Sequence, residues 1–470
     1  MKIPIEKNKM YIVVVAFCLF IIVFFASFQW VMHNETSREP VVLTIWHNPG
    51  SQVKHAVSEI ADEFNRSVGR EKGIVLVVTS IGKSEALHEK LELIANGDPG
   101  APEPPDIAIA YPKTAVLLAR KNMLADVGAY FSDRELAAYV PRFLEEGRFL
   151  DGKIYVFPTN KSAEALIVNR TLFDRFAAET GAKLDDLATM EGLLRAARSY
   201  HDWTGGKAFF MIDNPFNFLQ VAYRQLGEDY FAPPVSPNLY SPIFKKVWDA
   251  FYEPSVKGHE AVYNGYGTDL TKTGSIVCWT SSTAGITFLP AAMTYPDNTS
   301  EPALFDILPY PVFEGGKKIA TQRAGGFCLL KSTKVKEDAA AVFLKWLTEP
   351  ENNLRFVENS GYLPVTLAAM EKMGKIAAER PSDMSFINSR FLEVVSLMGR
   401  EYDFYIPPVN DDYEALEKQY ESLLRKYASV SRKNFLDFLE TWSPEPMNTD
   451  EVFFVISDGV FEEFLESLLK

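Results

Sequence analysis

From residue 41 onward, short apolar runs alternate with amphipathic stretches. "VVLTIW" is a β-rich run, and "SQVKHAVSEIADEFNRSV" sets Val53, Val57, Ile60 and Phe64 at helical spacing. "GIVLVVTSI" is apolar throughout, as strands buried on both faces of a parallel sheet tend to be. "SEALHEKLELIANG" predicts a helix closed by Gly97, and "PPDIAIAYP" a third strand. Strand, helix, strand, helix, strand implies right-handed crossovers and a mostly parallel sheet.

The alternation continues. Helices are expected at "NRTLFDRFAAETG", "MEGLLRAARSYHDW" and "EDAAAVFLKWLTEPENNLRFVENSG", and strands at "AFFMI", "SIVCWTS", "FDILPYPV" and "GGFCLLK". The end is helical, from "DDYEALEKQYESLLRKYASV" to "VFFVISDGVFEEFLESLLK". Acidic residues punctuate the last segment, while Phe461, Phe464, Leu465 and Leu468 share one stripe, so it reads as a core-facing helix and not as a membrane span.

One segment is different. Tyr11 to Val31 is an apolar run that reaches the length needed to cross a bilayer as a helix. Lys2, Lys7 and Lys9 precede it, so the positive-inside bias keeps residues 1–10 in the cytoplasm and sends the body outward. Cys18 lies too early in the run for lipid attachment, and Ala26-Ser27 is a poor cleavage site, so 11–31 is expected to stay as an anchor. A polar linker, 32–40, follows.

The 470 residues are 47% hydrophobic, enough for one large core or two ordinary ones. A formal charge of -14 argues against nucleic acid, whose phosphates require a basic surface. Outside the anchor only Cys278 and Cys328 occur, both in apolar runs, and two buried free thiols is the preferred reading. No spacing of histidine or cysteine suggests a metal, and no motif requires a cofactor.

Five stretches together resemble a known family. These are "LTIWHN", "LDGKIYVFPTNKSAEALIVNRTLFDRF", "ILPYPVFEGG", "AGGFCLLKSTKVKEDAAAVFLKWLTEPENN" and "SGYLPVT". In this order they are similar to the extracytoplasmic solute-binding proteins of ABC importers, in the group that binds sugars and glycerol 3-phosphate. The chain departs from that pattern at "GDPGAPEPPD", at "LATMEGL", and at Pro112 after Tyr111. The resemblance implies a two-lobed α/β periplasmic-binding-protein fold of type II, preceded by the anchor. Lobe 1 is expected at 41–157 and 306–348, lobe 2 at 158–305 and 349–470, joined by hinge crossovers. It also implies a small polar solute, sugar or glycerol phosphate, held in the cleft and delivered to ABC permease subunits. A sensory receptor is the alternative partner. The body then works without catalysis on the outer, periplasmic face of the membrane.

Candidate ligand contacts sit where strands end. They are Trp46 and Asn48 after the first strand (with His47 between them), Tyr111 after the third, and Asn160 and Ser162 after Pro158. Ser281, Ser282, Gly325, Gly326 and Tyr362 complete the set. Hydroxyls and backbone N–H groups suit sugar hydroxyls or phosphate, and aromatic faces cover a sugar ring. Arg323 and Arg400 are the arginines near the matching segments, able to grip a phosphate by their fork, although a solvated arginine is the preferred reading of each. Trp203 and Trp279 are expected in the core.

An enzymatic reading competes. Ser51-x-x-Lys54 and Ser80-x-x-Lys83 fit a serine acyl-enzyme of the penicillin-binding type, and Lys272-Thr273-Gly274 precedes a strand. The Ser-Asp-Asn element of that chemistry is missing between them, with only "SDR" at Ser132. The binding reading is preferred.

Overall fold

The computed structural model describes residues 17, 19–24, 39–47, 51–82, 84–110, 112–149, 151–232, 236–323, 325–357, 360–379, 385–408, 412–441 and 448–470. Most of the Tyr11 to Val31 segment lies outside these residues. Phe17 and residues 19–24 are helical with exposed apolar side chains. Among the described residues no helix is long and apolar enough to cross a membrane.

Two sheets organise the body. The first contains β1 (Val41–His47), β2 (Ile74–Ser80), β3 (Ile107–Ala110) and, arriving from much later in the chain, Gly326–Leu329. β1 pairs in parallel with β2 and β3, whereas Gly326–Leu329 runs antiparallel to β3. The second sheet is built on β4 (Ser162–Asn169), β5 (Phe210–Ile212), β6 (Cys278–Ser282), β7 (Phe305–Leu308), β8 (Ile319–Arg323) and Asp403–Tyr405. Gly326–Leu329 is β9 and Asp403–Tyr405 is β10. The second sheet's order is β10-β8-β4-β6-β5, with β7 also on β4.

The expected elements form, with three physical differences. β2 is an edge strand with one face uncovered, so Val75 and Val77 are exposed rather than buried on both faces. The long helix expected from "EDAAAV" onward breaks before Pro350 into Lys334–Leu347 and Pro350–Val357, because the residue ahead of proline avoids helical backbone. The last helix breaks at Gly459, whose φ of 74° suits glycine, into Thr449–Ser457 and Val460–Leu468. Phe464 is buried there, against Trp248 at 4.3 Å.

The lobe boundaries also move. β7 and β8 pair with β4, so residues 305–323 belong to the second sheet and the chain returns to lobe 1 at 323–326, not at 306. Lys334–Leu347 packs on lobe 1 through Phe343 and Trp346 against Phe64, at ring distances of 5.2 and 5.3 Å. Pro350–Val357 stays on lobe 1 as well, where Arg355 pairs with Glu63. Phe386–Glu401 packs on lobe 2, where buried Asp306 receives Arg390 at 2.7 Å and Arg170 at 3.3 Å. Cys278 and Cys328 are buried free thiols in different sheets.

Two adjacent strand segments carry the chain between lobes. Phe157 pairs with Phe327 on the lobe 1 side, and Ser162 with Arg323 on the lobe 2 side. Between them Lys161, 1% exposed, forms an ion pair with Glu146 of helix Pro141–Glu146 at 2.6 Å. The same Glu146 oxygen accepts from Gln322 at 2.6 Å. Asn353 ties the segment to a third stretch, donating to the Thr159 carbonyl at 2.7 Å and accepting from the Val365 N–H at 2.8 Å. Removing one member of a buried ion pair leaves the other desolvated and uncompensated, at a cost of about 3–5 kcal/mol. Glu146→Ala is therefore expected to lower the unfolding free energy by about that amount, measured by denaturant melts. A loss below about 1 kcal/mol, the range of exposed pairs, would show that the pair is hydrated.

Candidate functional site

The carboxyl ends of β1 and β3 and the start of β9 form one rim of lobe 1. Trp46 is half-buried there against the cluster of Leu87, Leu91 and Ala108, and His47 is buried. A Cβ on Gly325 would lie 2.7 Å from the Ala110 carbonyl oxygen, and one on Gly326 would lie 2.4 Å from that of Phe157. Close approach of the crossing strands therefore accounts for both glycines. Asn48 and Tyr111 lie outside the described residues.

Lobe 2 presents a matching rim. The antiparallel register sets Glu164 beside Ser282 and Ala165 beside Ser281, while Arg323 pairs with Ser162. Arg323 is the last residue of β8; its side chain is outside the described set. Ser162 and Ser281 are buried, and Ser282 caps the short helix Thr283–Phe288 by accepting the Ala284 N–H. β5, parallel to β6, ends at the same rim, and Asp213 follows it.

Asp213 was not among the residues expected from sequence. It accepts the Gly267 N–H at 2.7 Å. Its other oxygen is buried without a well-aligned partner, although the Ser281 hydroxyl is near enough to favour the charged form. Burial pushes the carboxyl up to about 7, and the Glu164 carboxylate adds to the rise. Glu164 is itself buried and accepts from Asn217 at 2.6 Å. The local fold follows from "MIDNPF": Asn214 caps the helix Pro215–Gln225 by accepting the Asn217 N–H, and Pro215 suits its first turn. That cap turns the chain just after Asp213. Beside it stands Tyr266, 70% exposed, immediately before Gly267, with Tyr263 and Phe288 also exposed. A strand ending in aspartate ahead of an Asn-Pro helix start was the available sequence signal for this site.

The remaining candidates divide. Asn160 is half-buried on the hinge segment beside Thr159, whose hydroxyl donates to it at 3.1 Å. Tyr362 is half-buried, follows Gly361 at φ 70°, and lines a mostly apolar cavity of about 510 Å³ with Leu354, Met373 and Phe391. Gly361 fits because a Cβ would meet the Thr283 carbonyl oxygen at 2.5 Å, which holds this turn against the lobe 2 rim. Arg400 is not with the rims: it lies exposed on the last turn of Phe386–Glu401 and donates to Ser396 of its own helix at 2.7 Å. Trp279 is buried as expected, whereas Trp203 is 43% exposed beside Phe176 and Tyr200, away from either rim. Among the described residues of the acyl-enzyme pattern, Ser80 and Lys272 lie in different lobes. Ser80 ends β2 in lobe 1 and Lys272 pairs with Asp269 in lobe 2, while Lys83 and the side chains of Ser51 and Lys54 are outside the described residues.

Two sheets joined by paired crossing strands define a two-lobed α/β fold. The chain belongs to the family of bacterial extracellular solute-binding proteins, whose profile matches residues 59–380. This membership places the body outside the cytoplasm and makes it a binding protein, not an enzyme. Solved structures share the fold along nearly the full chain. The cyclic alpha-maltosyl-1,6-maltose binding protein from Arthrobacter globiformis superposes with a TM-score of 0.67 at 18% identity, covering 92% of this chain and 99% of that one. UgpB from Mycobacterium tuberculosis in complex with glycerophosphocholine gives 0.63 at 15%, covering 92% and 100%. An ABC transporter solute-binding protein from Agrobacterium radiobacter in complex with ribitol gives 0.62 at 15%, covering 90% and 98%. A sequence search of curated proteins gave no match.

Asp213 sets a pH dependence. Its folded value is raised above the ordinary 3.8, so it favours folding at low pH and withdraws that support as pH rises through about 7. Asp213→Asn is expected to remove this slope, so that the variant gains stability relative to wild type between pH 4 and pH 8. Melting curves across that range check it. Parallel wild-type and variant profiles would contradict a buried, protonated Asp213.

Proposed function

We propose that the cleft between the two rims captures a neutral polyhydroxylated solute, a sugar or polyol, and presents it to an ABC-type permease. The observation that carries this reading is the lobe 2 rim: two acidic side chains, Glu164 and Asp213, the latter held up to about 7 by burial and bonded to the Gly267 N–H just after exposed Tyr266. A carboxyl that can both accept and donate near neutrality, as Asp213 can, suits solute hydroxyls, and an aromatic face covers the apolar side of a sugar ring. Acidic side chains on this rim favour a neutral solute over a phosphate, so the glycerol-phosphate alternative has less support. Ser162, Ser281 and Ser282 supply further polar groups on this rim, and Asn160 stands at the hinge. Trp46, Asn48 and Tyr111 are proposed for the lobe 1 side, and Tyr362 for the third segment. Arg323 and Arg400 are left without a solute role, and Gly325 and Gly326 serve the crossing. The structural neighbours named as a cyclic alpha-maltosyl-1,6-maltose binding protein and as a complex with ribitol support the same solute class.

Tyr11 to Val31 is proposed to remain as an anchor that keeps the body beside its permease. It matches the span length and orientation rules. Intact mass of the membrane-extracted chain is expected to include the first thirty-one residues. A mass lacking them would show cleavage.

Calorimetry with maltose, the cyclic maltosyl-maltose, ribitol, glycerophosphocholine and glycerol 3-phosphate tests the solute class. At least one neutral member is expected to bind, and glycerol 3-phosphate is not. Asp213→Ala is expected to weaken that binding about 10- to 100-fold, the cost of leaving a solute hydroxyl unpaired in a closed site. Binding of glycerol 3-phosphate alone, or an Asp213→Ala variant with unchanged Kd, would contradict the proposal.

A further inference from the structure

The hinge strands have a second side. β10 pairs with β8 on the edge of the lobe 2 sheet away from β5 and β6. Helix Pro141–Glu146 of lobe 1 packs at that edge, with Phe143 and Phe404 at a ring distance of 5.9 Å. Its Arg142 carbonyl accepts from Gln322 at 3.3 Å. The Arg142 guanidinium reaches across to Asp403 of β10 with two parallel contacts, Nε to Oδ1 at 3.2 Å and Nη2 to Oδ2 at 3.3 Å. Glu145, one turn along the same helix, orients the guanidinium through Nη1 at 2.9 Å. Alongside opens a groove of about 770 Å³ with walls from both lobes, Phe149 and Tyr155 on one side and Tyr405, Ile406 and Pro407 on the other.

Ion pair and groove therefore lie on the side of the hinge strands opposite β5, β6 and the rim residues. When two rigid lobes rotate about a hinge between them, closing the front moves the back walls apart. A contact across the back opposes that motion. We propose that Arg142 and Asp403 form a clasp behind the hinge that biases the solute-free protein toward the open state and so lowers its affinity for solute without touching the cleft. Affinity falls in proportion to the population of the closing-competent state. The paired contacts fix the geometry, while side-chain exposures of 40% and 56% keep the clasp weak enough for bound solute to release. Lys161 connects the two sides. It directly precedes β4 and rim residue Ser162, yet its amine binds Glu146, which lines the groove. The inference rests on the hinged two-lobed cleft but not on the identity of the solute.

The test reads lobe separation without any solute. Spin labels are placed at the exposed Ser80 and Asn264, one on each lobe, in the full chain carrying Cys18→Ser. Cys278 and Cys328 are 0% exposed and do not label. Electron–electron distance measurements on Asp403→Asn and on Arg142→Gln are expected to show a two- to five-fold larger short-distance population than wild type, the range of an exposed ion pair. The double variant is expected to match either single. High salt, which screens exposed charges, should shift wild type in the same direction and leave the variants unmoved. Glu401→Gln, which breaks the exposed Lys318 pair within lobe 2, should change nothing. An unchanged or longer distance in Asp403→Asn, or single-variant effects that add in the double, would overturn the clasp.

Discussion

A buried ion pair holds the crossing between the lobes. Lys161 and Glu146 meet at 2.6 Å with almost no solvent contact, and Gln322 on the returning strand shares the same carboxylate oxygen. Each lobe otherwise has its own sheet, and the two meet through the paired segments 157–163 and 322–327. A charge pair taken out of water requires well-made geometry to be tolerated at all. Its partners therefore have little freedom, which fixes the register of the hinge strands. Asn353 adds a third tie by bonding both Thr159 and Val365. Everything proposed for the cleft depends on this crossing staying fixed.

The rims owe their chemistry to the same arrangement. β5 and β6 run parallel and end at one edge, where antiparallel β4 begins, so residues distant in sequence gather there: Ser162 and Glu164 from β4, Ser281 and Ser282 from β6, and Asp213 after β5. Burial raises Asp213 to about 7, which leaves it able to donate or accept a hydrogen bond near neutrality. Tyr266 stands exposed beside it because the following Gly267 lies tightly against the Trp279 ring, where a Cβ would approach to 2.5 Å. A group that gives and takes hydrogen bonds, next to an open aromatic face, is suited to hydroxyl-rich solutes. Lobe closure would remove water from that edge and strengthen each of these contacts.

Much of the fold was legible in the sequence because local patterns agree with it. Val57, Ile60 and Phe64 are buried as their helical spacing predicts, and Gly97 takes the left-handed conformation that ends its helix. What periodicity missed was set by distant pairing. β8 and β10 are short and take their strand form from each other and from β4, so no local alternation announced them. The boundary at 306 failed for the same reason: "FDILPYPV" reads as a strand in isolation, and only its register with Asn169 to Leu166 assigns it to lobe 2. The site was less legible than the fold. Serines at strand ends were found by position, but Asp213 and Glu164 owe their interest to burial and to each other, which no linear spacing records. Arg400 was drawn in by its nearness to the matching segments, and the structure ties it to its own helix instead.

The central claim is that one solute engages both lobes across a hinged cleft. Hydrogen exchange on the full chain, with and without the tightest-binding neutral solute, tests it most directly. Slower exchange is expected on both rims at once, around 45–47 and 80–82 in lobe 1 and around 213–217 and 281–288 in lobe 2, together with the crossing at 159–163. Protection confined to a single lobe, or lying outside both rims, would contradict the account.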